Sequence, residues 1–290
     1  MCIDMIIEPR VARISADLTV RRILPYKTKR SVGPLCFLDH MGPHKINLSQ
    51  KVDVLPHPHI GLSTMTYLFA GQFIHRDSLG NKQIIRPGEV NWMTAGKGIV
   101  HSERIPAEGV AENPILHGLQ AWLALPKEQE QCEPSFVHYS KNQLPYFEKD
   151  GVSFSLAAGT IDQYVSPLKT TSSFLYAKLQ FIKDSFFTYE TKNQETAFYL
   201  VEGSVEIESQ IFNSSQLIIF KKHSLIKIRS HGNTLGVFFG GETLVEKPLM
   251  DWNFVATRKE LIEAAKQKWR LQQFPSIPEE VEFIPLPEKR

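Results

Sequence analysis

Val54-Leu55-Pro56-His57-Pro58-His59-Ile60-Gly61 is the stretch on which the reading of this chain turns. Proline cannot donate to a sheet ladder, so two prolines exclude a central, fully paired strand. The segment is expected at the entry to a strand, at the mouth of a sheet. In an extended chain, side chains two apart share a face, so His57 and His59 aim the same way. Further on, Ile99-Val100-His101-Ser102-Glu103 repeats the device, with His101 and Glu103 two apart. Two neighbouring strands of this kind bring three imidazoles and one carboxylate to a single ion. That mixed nitrogen and oxygen set suits a first-row transition metal such as iron, nickel, manganese, copper or zinc. Burying four such groups without a partner is costly, and one cation satisfies them all. A closed structural zinc site more often uses cysteine. Cys2, Cys36 and Cys132 all lie away from both pairs in the sequence.

Around these pairs the chain reads as short strands and tight turns. Thr64 to Gly71 is a strand ending in glycine, and Ser78-Leu79-Gly80-Asn81 is a hairpin turn. Arg86-Pro87-Gly88-Glu89 has the type II pattern, proline second and glycine third. Ala95-Gly96-Lys97-Gly98 is a glycine turn leading into the His101 strand, and Leu116 to Pro126 is a further strand. Such spacing predicts an all-β sandwich or barrel. His40 and His44 fall in a polar loop and are expected outside the ion site. Arg21-Arg22 with Lys27-Thr28-Lys29-Arg30 reads as a solvated basic loop, because nucleic-acid footprints come with a larger basic excess.

Tyr67-Leu68-Phe69-Ala70-Gly71 returns as Tyr199-Leu200-Val201-Glu202-Gly203. A repeat at this spacing predicts two copies of one sandwich. The same offset carries His57 to Tyr189 and His59 to Thr191, and past Glu103 no His-x-His or His-x-Glu pair occurs. The second copy is therefore expected to keep the scaffold and lack the ion. The expected organisation is a metal-binding domain over 1–135, a second domain without ligands over 136–250, and a helix and tail over 251–290. Thr257-Arg258-Lys259-Glu260 has the capping-box pattern, with Leu261, Ala265 and Trp269 on one helical face. The tail beyond Phe274-Pro275 is expected along the surface.

The chain has 290 residues, 42% hydrophobic and 22% charged, with a net charge of +2. That is globular composition with no strong pull toward nucleic acid or membrane. Three scattered cysteines argue against a disulfide framework and for a reducing compartment. The start Met1-Cys2-Ile3-Asp4 does not read as a signal peptide. The expectation is a cytoplasmic protein, or a nuclear one in a eukaryote.

The wording around the histidine pairs resembles the pirin family of cupins. The matching stretches are Phe37-Leu38-Asp39-His40, His57-Pro58-His59-Ile60-Gly61, His75-Arg76-Asp77-Ser78, Pro87-Gly88 and, above all, Trp92 through Glu103; Leu116-His117-Gly118-Leu119-Gln120 continues them. The resemblance implies two tandem cupin (jelly-roll) β-barrels, with one metal in the first barrel held by His57, His59, His101 and Glu103. It implies Fe(II) as the leading metal, with Ni, Mn, Cu or Zn as others, and Gln120 in the pocket wall. Several pirin-like proteins are quercetin 2,3-dioxygenases, while eukaryotic members are iron-dependent transcriptional co-regulators. Many cupins and pirins carry a glutamate shortly after the His-x-His pair, where this chain has Ser63-Thr64. The expected activity is dioxygenation of a small aromatic, flavonol-like substrate with O2. Glu103 is the expected proton acceptor, and Met65, Trp92, Met93 and Gln120 the pocket wall. The alternative is a redox-sensing regulator acting through a protein partner.

Overall fold

The computed structural model describes residues 1–47, 49–50, 52–106 and 114–288. These are mostly strand, with one α-helix, α1 (Lys259–Arg270). No helix among them is long and apolar enough to cross a membrane. The chain divides into two compact units. Val11–Val20, Leu38–Tyr139 and Val245–Arg290 form one, and Met1–Arg10, Arg21–Phe37 and Ser140–Leu244 the other.

The first unit contains all four candidate ligands. Its strands are β1 (Leu35–Lys45, from Leu38 on), β2 (Val54–His59), β3 (Leu62–Ala70), β4 (Phe73–Asp77), β5 (Lys82–Ile85), β6 (Val90–Thr94), β7 (Ile99–Arg104), β8 (Ile115–Ala124) and β9 (Ser135–Tyr139). One sheet runs β9-β6-β3-β8-β1 and the other β2-β7-β4-β5. The proline-bearing segment is itself a strand, at the edge of the four-stranded sheet, where missing N–H donors cost least. The turn at Arg86-Pro87-Gly88-Glu89 closes with Glu89 N–H donating to the Arg86 carbonyl at 3.1 Å. Gly88 there has φ +81°, as the third position of a type II turn requires. Leu68, Phe73, Ile85 and Leu116 are buried together between the sheets.

In the second unit, β10 (Phe174–Phe181), β11 (Ser185–Glu190), β12 (Glu195–Glu202), β13 (Ser204–Ile207), β14 (Gln210–Asn213), β15 (Leu217–Phe220), β16 (Leu225–Ser230) and β17 (Thr234–Gly241) repeat the plan. The order β15-β12-β17-β10 matches β6-β3-β8-β1, and β11-β16-β13-β14 matches β2-β7-β4-β5. The internal repeat is thus a repeat of topology. Its interior is apolar, with Phe187, Ile226, Ile228, Phe198 and Phe238 in one buried cluster.

The continuous domain blocks expected from the sequence are corrected at both ends. Strand Ile3–Ile7 pairs antiparallel with β15, Ile3 opposite Phe220 and Ile7 opposite Leu217. Met1–Arg10 therefore belongs with residues 140–244. Ile7 is fully buried, so an edge strand of that sheet supplies what the isolated N-terminus lacks. The C-terminal part belongs to the metal-ligand unit. A hairpin, Leu249–Asp251 with Phe254–Ala256, precedes α1. Phe254, Ala256, Ile262, Ala265 and Trp269 bury against Ile60 and Val100. Gly61 has φ +65°, and a Cβ there would lie 1.9 Å from the Val255 carbonyl oxygen, so only glycine admits the hairpin this close.

The capping box does not form. The N-cap is Arg258, without a side-chain bond to the helix. Thr257 instead donates its Oγ1 proton to Glu130 Oε1 at 3.0 Å, and its N–H to Glu130 Oε2 at 2.7 Å. A buried carboxylate competed successfully for the hydroxyl. The tail runs along the surface, as expected, and is pinned there by specific bonds. The Glu280 side chain is only 6% exposed, accepting from Ser102 Oγ at 3.0 Å and from both Nε and Nη2 of Arg104. Ile284 N–H donates to the Pro56 carbonyl at 2.8 Å, and Trp269 Nε1 to the Ile284 carbonyl at 2.9 Å. The basic cluster near the N-terminus is used internally: Lys29 Nζ bonds Glu195 at 2.6 Å, and the Arg22 guanidinium lies 4.6 Å over the Phe37 ring.

Candidate metal centre

β2 and β7 are antiparallel neighbours, with His57 opposite His101 and His59 opposite Ile99. The register brings the two histidine-bearing faces together. The ligand nitrogens of His57, His59 and His101 lie within 4.8 Å of one another, and the three side chains are buried. Ring centroids are 4.9 Å apart for His57 and His59, 4.4 Å for His57 and His101, and 5.0 Å for His59 and His101.

The outer nitrogens are engaged. His57 Nδ1 donates to the Leu55 carbonyl at 2.8 Å, and His59 Nδ1 to the Asn253 carbonyl at 3.1 Å. A neutral imidazole with its proton on Nδ1 has a bare lone pair on Nε2. The Nε2 atoms of His59 and His101 are buried without a hydrogen-bond partner. Such an orphan costs about 1–3 kcal/mol. A cation at the point of convergence removes that cost, so the residues fit a metal. Burial also keeps the rings neutral. It lowers His57 to about 4, the Leu55 carbonyl opposing and His75 adding to the shift. His59 and His101 are held well below the usual histidine range, by burial first and then by their neighbours.

Glu103 is not one of the three residues in that tight group. A register irregularity in β7 separates it from His101 on the β2 side. It lies two residues on from His101, opposite His75 of β4. Thr66 Oγ1 is 3.1 Å from Glu103 Oε1 and 2.8 Å from the Gln120 side-chain amide. A hydroxyl has one proton, so Thr66 shares it between two acceptors, Glu103 Oε1 and Gln120 Oε1. Burial pushes the Glu103 carboxyl up to about 7, partly offset by the Thr66 bond.

The expected pocket wall divides. Thr66 pairs with Gln120 and Asn91, and Thr64 with Met93 and Trp122. These share the face that reaches Glu103 and His59, since Trp122 sits edge-on to His59 at 4.9 Å. Met65 and Trp92 are cross-strand partners one residue away. Strand alternation turns them to the opposite face, so these two are corrected to sheet packing. Thr66, Trp122, His75 and Asp77 were not anticipated as site residues. His75 and Asp77 carried a signal, being two apart like the ligand pairs; Thr66 and Trp122 carried none. His40 lies outside the group, its Nε2 2.8 Å from His117 Nε2, and so does His44.

The second unit fills the corresponding strand differently. Tyr189 and Thr191 stand at the repeat offset from His57 and His59. Tyr189 packs edge-on against Phe238 at 4.8 Å, and faces Ile226 across the sheet. Thr191 Oγ1 is engaged with the backbone carbonyls of Lys221 and Ser224. Among the described residues, one group of three potential ligands occurs, that of the first unit.

Two units that repeat one double-sheet topology, the first with converging imidazoles on paired strands, define a bicupin. The family model described as Pirin matches residues 17–123, and that of the Pirin C-terminal cupin domain matches 176–275. A pirin-like protein of Caulobacter vibrioides is 38% identical, over 99% of this chain and 100% of that protein. A Pseudomonas aeruginosa protein provisionally named a quercetin 2,3-dioxygenase is 35% identical, over 90% of this chain and 81% of its own length. The crystal structure of a quercetin 2,3-dioxygenase from Acinetobacter baumannii superposes with a TM-score of 0.92 at 32% identity, covering 99% of this chain and 95% of that one. A bacterial pirin from Escherichia coli in complex with nickel(II) shares the fold, with a TM-score of 0.64 at 19% identity, covering 83% and 99%. The chain belongs to the pirin family.

Proposed function

We propose that this chain is a metal-dependent dioxygenase that opens the heterocycle of a flavonol-like substrate with O2. The observation that carries the reading is the convergence of three neutral imidazoles, two with orphaned Nε2 atoms, on the face that also bears a buried, weakly acidic Glu103. The similarity to quercetin 2,3-dioxygenases, at 32% identity to the Acinetobacter protein, supports it. His57, His59 and His101 would hold the metal, with Glu103 as fourth ligand. Fe(II) is the leading candidate in this proposal, with Ni, Mn, Cu and Zn as alternatives for one mixed site. When bound, the ion supplies Lewis acidity toward a substrate hydroxyl and a redox-capable centre beside which O2 reacts.

The protein supplies the rest. Glu103 accepts the flavonol hydroxyl proton. In the metal-free site burial raises this carboxyl to about 7, which favours proton uptake. Thr66 and Gln120 aim the carboxylate. Trp122 and Met93 form a dry wall on the same face, against which a flat ring lies and from which water is excluded.

The test is direct. Purified chain is loaded separately with Fe(II), Ni(II), Mn(II), Cu(II) and Zn(II) and mixed with quercetin in air, and loss of the flavonol absorbance is followed. Turnover with at least one metal is the expected result. Tight metal binding without turnover in any case overturns the reading in favour of a regulator acting through a protein partner.

A further inference from the structure

We infer that His75, held by Asp77, is the residue that orients His101 toward the ion and sets its ligand nitrogen. The inference rests on the metal reading of His57, His59 and His101, and deepens it. Those three ligands are not supported alike. His57 and His59 each lean on a backbone carbonyl, whereas His101 Nδ1 is 3.4 Å from His75 Nδ1. The next link is shorter: His75 Nε2 is 3.0 Å from Asp77 Oδ2. His75 and Asp77 are both buried.

The tautomers along this row are determined in sequence. Ionised Asp77 only accepts, so His75 carries its proton on Nε2. His75 Nδ1 is then a bare acceptor and can only receive a proton from His101 Nδ1. His101 is left with its lone pair on Nε2, the buried atom without a partner. Ligand imidazoles generally need such an outer acceptor to fix ring plane and basicity.

Asp77 is itself anchored. Its Oδ1 accepts from Leu79 N–H at 2.9 Å, Asn81 N–H at 3.1 Å and Asn81 Nδ2 at 3.1 Å, while its Oδ2 also accepts from Asn81 Nδ2 at 2.9 Å. The His75 ring is clamped flat on Phe136, with centroids 4.2 Å apart at 11°. The cross-strand register seats His101 opposite Asp77 and Glu103 opposite His75, so all four share one face. Ser78 completes the motif by closing on Val100, N–H to carbonyl at 2.9 Å and Val100 N–H to Ser78 Oγ at 3.1 Å. His75-Arg76-Asp77-Ser78 is thus a jig for the strand that carries His101. His75 is a positioning residue in this account.

Two variants test it. His75→Phe keeps the ring on Phe136 and removes the acceptor. Asp77→Asn keeps Oδ1 for the turn but puts an NH2 opposite His75, which forces the proton of His75 onto Nδ1, against the His101 N–H. Ni(II) affinity is measured by competition with a chromophoric chelator, on wild type and both variants. In the Co(II)-loaded proteins, the exchangeable, hyperfine-shifted ring N–H signals are followed by NMR. Each variant is expected to bind Ni(II) about 10- to 100-fold more weakly. One of the three ring N–H signals should exchange with water much faster, with far-UV circular dichroism unchanged. If His75→Phe does not fold, Asp77→Asn decides alone. Wild-type affinity with three unchanged signals overturns the role of His75 while leaving the metal site standing. Failure of wild type to bind Ni(II) or Co(II) overturns the metal reading, and this inference with it.

Discussion

A carboxyl group removed from water keeps its proton more tightly, and Glu103 is such a group, pushed to about 7 by burial. That is in keeping with the proton-accepting role expected of it from the sequence. Glu103→Gln preserves the shape and the acceptor for Thr66 and removes only the ionisable oxygen. Flavonol turnover is expected to fall about 100-fold or more, with metal still bound through the three imidazoles. Steady-state rates and elemental analysis of the variant check this together. Thr66→Val removes the one hydrogen bond that lowers the pKa of Glu103. That pKa rises, so the acid limb of the pH–rate profile should move to higher pH. An unmoved limb would mean that Glu103 is not the base.

The elements were legible to different degrees, for physical reasons. Strands β2 and β7 announced themselves because period-two ligand pairs and glycine turns are local. The helix also showed in its spacing: of the expected face, Ala265 and Trp269 are buried and Leu261 half-buried, with Ile262 buried beside it. Its cap did not, because Thr257 turns to Glu130, far away in the chain. The tail runs along the surface as expected, but its anchors were hidden for the same reason: Glu280 finds Arg104 and Ser102 only in the folded chain. Burial alone would raise the Glu280 carboxyl, but the bonds from Arg104 and Ser102 outweigh it and hold the group below its usual range. A depressed carboxylate contributes stability above its ordinary value and loses it as pH falls through the folded one. Glu280→Gln should cost about 1–3 kcal/mol at pH 7. The gap to wild type should narrow as pH drops below about 4.5. Thermal midpoints of both chains across that range provide the check.

At the scale of the molecule, the two units share a plan and differ in what fills it. One keeps polar groups around a point where imidazole lone pairs meet. The other has packed the equivalent space with Phe187, Ile226, Ile228 and Phe238. Metal should then stabilise the chain by mass action through the first unit. At a free Ni(II) concentration 100 times its dissociation constant, the gain is about 2.7 kcal/mol. Hydrogen exchange with and without Ni(II) should show added protection centred on β2, β4 and β7. Equal protection across β11 and β16 would contradict a single site in the first unit.

The sequence by itself determined the all-β class, the duplicated plan and the three imidazoles that converge in the first unit. All of these follow from short-range periodicity and from which residue types are present. Tertiary structure alone decided that the N-terminal strand joins β15, that the tail braces β2 and β7, and that Met65 and Trp92 turn away while Thr66, Trp122, His75 and Asp77 turn in. Those outcomes depend on strand register and on partners distant in the chain, and a one-residue change of register reverses every face.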